Sequence, residues 1–335
     1  MALLDQLTSK KLLEYVEEGY KWSYGICYIV LMLIFFGLHP FYVYVNKVNR
    51  VRDESIFIFP ITNHFYEMVK KAYFLFLYLV VSSILFMTLA LKYSNYCVPA
   101  FCTSCITCFA LYIIVQVFHL LISLLAVQRL VIYFVPSMEK QTIWVQNKLY
   151  GNIWYIYIAF GLKESIGIVC LFVCEVAACS PSKQMTFRIF YTSTFFFLNA
   201  FLVTSALLYI PITLSIWKLT SYTMNQDKPQ KYIFFQTVVI LIFKAACVPA
   251  LIAFIFCDYS INVSIVFVAS MDIIIIPLII QISYLGCNKR NINTLFHSFN
   301  LKRFAKVLFD FKVETTVDPQ INLTHFRSPR HSDSQ

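Results

Sequence analysis

Seven apolar stretches, each at or above the roughly 20 residues that a helix needs to cross a bilayer, take up most of the 335-residue chain. They run over Trp22–Val45, Ala72–Leu91, Ala100–Phe134, Ile153–Val176, Ile189–Trp217, Tyr232–Cys257 and Val263–Leu285. Unbroken apolar runs of this length predict helices, because inside hydrocarbon a helix satisfies every backbone N–H and C=O within its own segment. The third and fifth exceed one bilayer thickness and are expected to tilt or to project beyond it. The alternating pattern of a membrane β-barrel strand is absent. The sequence therefore predicts an all-α bundle of seven transmembrane helices with its termini on opposite sides. With only 7 Gly and 11 Pro, there is no sign of long flexible linkers.

The bundle's direction follows from its basic residues, which favour the cytoplasmic side of short loops. With the N-terminus outside, 19 of the 27 Lys and Arg residues fall inside, 6 fall outside, and Lys163 and Lys244 lie within spans. The chain then divides into an extracellular segment 1–21, a seven-helix region 22–285, a cytoplasmic amphipathic helix 286–310 and a disordered cytoplasmic tail 311–335. Met1–Lys21 carries Asp5, Glu14, Glu17 and Glu18 without a small-residue cleavage site, so the first span is expected to serve as an uncleaved signal anchor. The net charge of +10 becomes a property of the inner face, suited to membrane lipids and acidic protein surfaces. It does not point to nucleic acid.

Ionisable residues inside spans are costly and mark function or pairing. The fourth span carries Lys163 and Glu164, the sixth Lys244 and the seventh Asp272. At about 1.5 Å per residue, Lys244 and Asp272 both lie roughly 12–20 Å below the outer surface, so neighbouring helices can pair them. Three readings stand side by side: a structural ion pair, charges lining a ligand cavity, and an ion pathway. Gln116, His119 and Asn199 at mid-span are expected to make interhelical hydrogen bonds.

Cys102, Cys105 and Cys108 form a C-x-x-C-x-x-C run. On a helix these positions wind around the axis in an apolar segment, so they read as small hydrophobes and not as metal ligands. Cys97, Cys102 or Cys105 at the outer end of the third span could bridge to Cys174 or Cys179 at the second outer loop, with Cys105 to Cys179 the expected pair. The six histidines are scattered without H-x-x-H spacing. No metal, cofactor or enzymatic site is expected.

Beyond the last span, Ile292, Leu295, Phe296, Phe299, Leu301, Phe304 and Leu308 recur near helical spacing, with Lys302, Arg303 and Lys306 on the complementary positions. This is the pattern of an amphipathic helix on the inner leaflet. Gln128 and Arg129 stand near the inner end of the third span, and a lone Arg there can snorkel to lipid phosphate.

Three longer strings carry a resemblance. The first span closes in Pro40-Phe41-Tyr42-Val43-Tyr44-Val45-Asn46-Lys47-Val48-Asn49-Arg50. The third runs His119-Leu120-Leu121-Ile122-Ser123-Leu124-Leu125-Ala126-Val127-Gln128-Arg129 into Tyr133-Phe134-Val135-Pro136-Ser137-Met138-Glu139-Lys140. The seventh runs Ile276-Pro277-Leu278-Ile279-Ile280-Gln281 into Ser283-Tyr284-Leu285-Gly286-Cys287-Asn288-Lys289-Arg290-Asn291. In combination, from about Tyr24 to Leu308, these resemble the nematode serpentine chemoreceptors of class Z. The resemblance implies a G-protein-coupled receptor fold and a chemosensory receptor in the plasma membrane of chemosensory cells. Its implied partners are an unidentified small-molecule ligand and a heterotrimeric G protein. Gln128 and Arg129 then stand where such receptors engage the G protein. The usual acidic neighbour and following Tyr are replaced by Gln128 and Leu130, and the usual Asn before the seventh-span Pro is Ile276. A transporter or ligand-gated channel is the alternative class. The scarcity of Gly and the lack of visible internal duplication weigh against a transporter, and the basic-residue count weighs against a channel with a cytoplasmic N-terminus.

Overall fold

The computed structural model describes residues 2–54, 59–90, 97–176, 185–186, 189–190, 192–205, 207, 238–245, 261–286, 289–296 and 299–309. Among these the chain is helical, with no strand. In chain order the helices are α1 (Ala2–Asp53), α2 (Phe59–Ala90), α3 (Cys97–Phe134), α4 (Glu139–Gly151) and α5 (Ile153–Val176). They continue with α6 (Thr192–Ser205), α7 (residues 238–245), α8 (Ile261–Gly286), α9 (Lys289–Phe296) and α10 (Leu301–Phe309).

Five helices carry segments long and apolar enough to cross a membrane: Trp22–Arg50, Phe59–Thr88, Val98–Ile132, Ile153–Cys170 and Val266–Gly286. They coincide with expected spans one to four and seven. α6 and α7 fall inside the fifth and sixth, whose remaining residues lie outside the described ones. α3 packs against α2, α5 and α8, and α1 packs against α2 and α8.

The core lies among α1, α2, α3 and α8, where Phe35, Tyr42, Phe65, Phe76, Phe118, Leu121, Ile274 and Ile280 are buried. Apolar side chains of α2 and α5 point outward instead, among them Phe74, Ile84, Trp154, Leu162, Ile166 and Phe172. A surface this apolar is what lipid tails require and water opposes. The chain is an integral membrane protein with an all-α, receptor-like bundle.

Four local differences from expectation have physical causes. α1 is continuous from Ala2, so residues 2–21 extend the first membrane helix inside the segment expected to be extracellular. α2 starts at Phe59, well before the apolar run, because its first turns form an amphipathic extension. There Glu67 pairs with Lys70 at 3.0 Å, and Lys71 lies over the Trp154 ring at 5.4 Å.

The segment between α3 and α5 contains α4, introduced by a 3-10 turn over Pro136–Met138. Its first turn holds Glu139 and its last turn Lys148, which match the helix dipole. Tyr150 at its end is partly buried, and the loss of solvent pushes its phenol above the usual range.

The expected single amphipathic helix is two helices. Asn300 starts α10 as its N-cap: its side-chain oxygen accepts the Lys302 amide at 2.9 Å and its carbonyl accepts the Phe304 amide at 2.7 Å. The tail after Phe309 lies outside the described residues.

Candidate functional site

The polar side chains buried in the bundle share one axis along α3 and α8. At mid-depth, Lys244 of α7 donates to the Asp272 carboxylate of α8 in an ion pair shielded from solvent. His119 lies on α3. His119 is itself buried, and its Nε2 has no hydrogen-bond partner among the described residues. One turn further in, the buried Ser123 hydroxyl is also unpartnered.

One turn of α3 outward lies a second charged group. Gln116 Nε2 donates to Glu164 Oε1 at 2.7 Å, and Lys163 Nζ reaches the same oxygen at 2.7 Å and the Gln116 carbonyl oxygen at 3.4 Å. The three side chains form a closed set in which Glu164 is buried and Lys163 remains half-buried. Sequence placed Lys163 and Glu164 in the fourth span; Gln116 on α3 is the partner that ties that pair to the core.

Towards the C-terminal end of α8 the axis continues with His39 of α1, which hydrogen-bonds Gln281 of α8 at 3.2 Å and stacks on Tyr73 of α2 with ring centroids 3.9 Å apart. Pro277 lies inside α8 one helical turn above Gln281.

The bundle end where α1 and α8 finish is closed by a set of contacts that sequence reasoning missed. Asn49 Nδ2 donates to Asn291 Oδ1 at 2.9 Å, and Asn291 Nδ2 donates to the Tyr284 carbonyl at 2.6 Å. The Tyr284 hydroxyl donates to Asp53 at 3.0 Å. Lys47 donates to the Val307 carbonyl at 2.9 Å, which satisfies one of the free carbonyls in the last turn of α10. Phe41 and Tyr44 of α1 pack on Phe304, with centroids 5.4 Å away in each case. Clusters of Asn, Asp and Tyr at span ends were the available signal. They carry no information on which distant segments meet.

The remaining expected residues fall as follows. Gln128 Nε2 donates to Gln146 Oε1 at 2.5 Å, tying the inner end of α3 to α4. Arg129 is the next residue of α3. Cys105 is exposed on α3 and unpaired among the described residues, and its expected partner Cys179 lies outside them. Cys102 and Cys108 are likewise free and exposed. Among the described residues no group of three or more His, Cys, Asp or Glu could hold a metal ion. Asn199 Nδ2 donates to the Phe195 carbonyl of its own helix at 2.9 Å.

No curated protein and no solved structure matches the chain. A family described as the serpentine type 7TM GPCR chemoreceptor Srz matches residues 25–289. That match takes in α1 from Gly25, the core helices, the buried axis and the start of α9. The protein thus belongs to the Srz family of seven-transmembrane chemoreceptors.

Proposed function

We propose that the protein is a chemosensory receptor in the plasma membrane of a sensory cell. It binds a small molecule within the outer part of the helix bundle and activates a heterotrimeric G protein at the inner face. The observation that carries this reading is the Lys244–Asp272 pair in the core of a chemoreceptor-family bundle. Two charges placed where lipid would exclude them can give a ligand a polar contact at the junction of two helices. The polar axis below the pair reaches from the bundle core to the inner face. A ligand that changes the pairing at Asp272 moves α8 relative to α7, and α8 is tied to α1 and α9 through Tyr284 and Asn291.

The topology belongs to the same proposal. Segment 1–21 faces the exterior, residues 22–285 form the membrane bundle, and residues 286–310 and the tail 311–335 lie on the cytoplasmic side. Gln128 and Arg129 are proposed to mark the G-protein contact. Cys105 to Cys179 is proposed as an outer bridge.

The reading is tested by expressing the chain in a heterologous cell with a coupled G protein and screening small molecules for second-messenger release. A ligand response that requires the G protein supports it. A ligand-evoked current that persists without any G protein replaces it with a channel.

A further inference from the structure

On the outer surface of the bundle, where the first turns of α2 meet the start of α5, one cation has no carboxylate among the described residues. Glu67 is taken by Lys70 at 3.0 Å, whereas Lys71 holds its Nζ over the indole of Trp154, 5.4 Å from the ring centroid. Lys71 stands one position before Ala72, where the apolar run of α2 begins. Side chains on a helix lean towards its N-terminus, and at such a boundary a Lys stem lies along apolar surface while its ammonium reaches back to the polar level. Trp154, the second residue of α5, meets it there. Both side chains are exposed.

The corner that carries this pair is built from three helices. His64 Nε2 of α2 and the Tyr157 hydroxyl of α5 are 3.2 Å apart, and the Tyr150 ring at the end of α4 lies 6.2 Å from the His64 ring. The Trp154 ring packs 6.1 Å from that of Tyr157. Two apolar stripes run on from the pair. Phe74, Tyr78 and Val81 follow Lys71 at helical spacing along α2, Ile158 and Leu162 follow Trp154 along α5, and all five are exposed.

We propose that this corner binds an anionic phospholipid, with its headgroup phosphate against the Lys71 ammonium and its acyl chains along the two stripes. The two halves of the site select the class together. A water-soluble anion satisfies the ammonium and leaves the apolar stripes uncovered. A sterol covers the stripes and gives the ammonium no anion. A zwitterionic phospholipid brings its own cation to the headgroup, which offsets the attraction to Lys71. An anionic phospholipid meets both demands, and an indole at the headgroup level suits the same boundary. The site is separate from the Lys244–Asp272 pair and holds whichever small molecule and G protein the receptor uses.

The test reads which lipid sits beside Trp154. The full chain, with Trp22→Phe, Trp144→Phe and Trp217→Phe leaving Trp154 as its only Trp, is reconstituted in nanodiscs of phosphatidylcholine and phosphatidylserine at physiological ionic strength. Brominated acyl chains are placed on one lipid at a time, and quenching of Trp154 is compared at equal mole fraction. Brominated phosphatidylserine is expected to quench as if enriched about fivefold over phosphatidylcholine, the size of one ammonium acting on an anionic lipid. Lys71→Gln should bring that ratio close to one, and Lys71→Arg should keep it. Lys140 lies at the other end of α4 from Tyr150, roughly 15 Å of helix away and beyond the screening length of about 8 Å, so Lys140→Gln should leave the ratio unchanged. Equal quenching by the two lipids overturns the proposal. A loss in Lys140→Gln as large as in Lys71→Gln shows diffuse surface charge and overturns it too. Stronger enrichment of brominated oleic acid replaces the phospholipid with a single-chain carboxylate, and a preference erased by excess inorganic phosphate replaces it with a soluble anion. If the triple Trp replacement does not fold, native mass spectrometry of the unmodified chain and Lys71→Gln decides. Loss of retained anionic phospholipid in Lys71→Gln is expected, and unchanged retention overturns the site.

Discussion

Asn49 and Asn291 are 242 positions apart in sequence and joined by a 2.9 Å hydrogen bond, with both side chains buried. Asn291 also holds the Tyr284 carbonyl, so one side chain joins α1, the end of α8 and the start of α9. Replacing Asn291 by Ala leaves the Asn49 amide and the Tyr284 carbonyl without this partner in a buried setting. Each such orphan costs about 1–3 kcal/mol. Asn291→Ala is therefore expected to lower the melting temperature of the detergent-purified protein clearly. Asn49→Leu/Asn291→Leu, which removes both polar partners, is expected to recover part of that loss. A thermal-shift series in one detergent decides it: an unchanged melting temperature for Asn291→Ala would show that the contact contributes nothing net.

A second expectation concerns the inner end of α3. Gln128 is engaged with Gln146, and Arg129 follows it at the inner end of the helix. If Arg129 engages the G protein in the active state alone, Arg129→Ala lowers ligand-driven activation by about tenfold or more while surface expression stays near wild type. Its interaction would then favour one state of the receptor and not the other. Gln128→Ala is expected to affect folding more than coupling, because it leaves Gln146 of α4 unpaired in a buried position. Reporter output normalised to surface immunostaining separates the two. Full signalling by Arg129→Ala at matched expression would make Arg129 a lipid-facing anchor.

What could be read in advance divides along the range of the interactions. Spans one to four and seven were legible because hydrophobicity over about 20 residues is a local property with a bilayer-length scale. The charges of Lys244 and Asp272 could be placed at similar depth from helical rise alone. α4 was not foreseen, since its segment is short and polar and its helix signals, Glu139 in the first turn and Lys148 in the last, are weak. The break between α9 and α10 was hidden because apolar spacing continues across it. The Asn300 cap that begins α10 acts at a single position. The inner clasp of Asn49, Asn291, Tyr284 and Asp53 depends on segments more than 200 residues apart, for which one sequence holds no register. Gln116 was visible as a polar residue in mid-span, but its partner Glu164 was visible only as a charge.

Topology gives a third expectation. With 19 of 27 basic residues assigned inside, an epitope at Met1 should be stained on intact cells, and one after Gln335 should require permeabilisation. Lys47, whose ammonium holds the Val307 carbonyl of α10, would then lie at the cytoplasmic surface with the amphipathic helix it secures. The reverse staining pattern would place α10 outside. It would also remove the receptor orientation in favour of a channel-like one.

The last expectation is that Lys244 and Asp272 depend on each other for folding. Their contact places an ammonium of α7 against a carboxylate of α8 with little solvent at either group. An isolated charge at the centre of a membrane helix costs about 2.5–3.5 kcal/mol on insertion scales, a large share of a typical folding stability. Lys244→Met strands the carboxylate, and Asp272→Asn strands the ammonium. Each single change should lower surface expression or raise basal signalling. The double change strands neither and should recover a substantial part of the loss, giving a coupling in the double-mutant cycle well outside additivity. Surface expression by flow cytometry supplies the first readout, and the melting temperature of purified protein supplies the second. If the two single losses simply add in the double mutant, the pair does not stabilise the fold. Should Asp272→Asn fold normally and abolish responses to cationic ligands, Asp272 is a ligand anchor for amines and Lys244 a separate residue beside it.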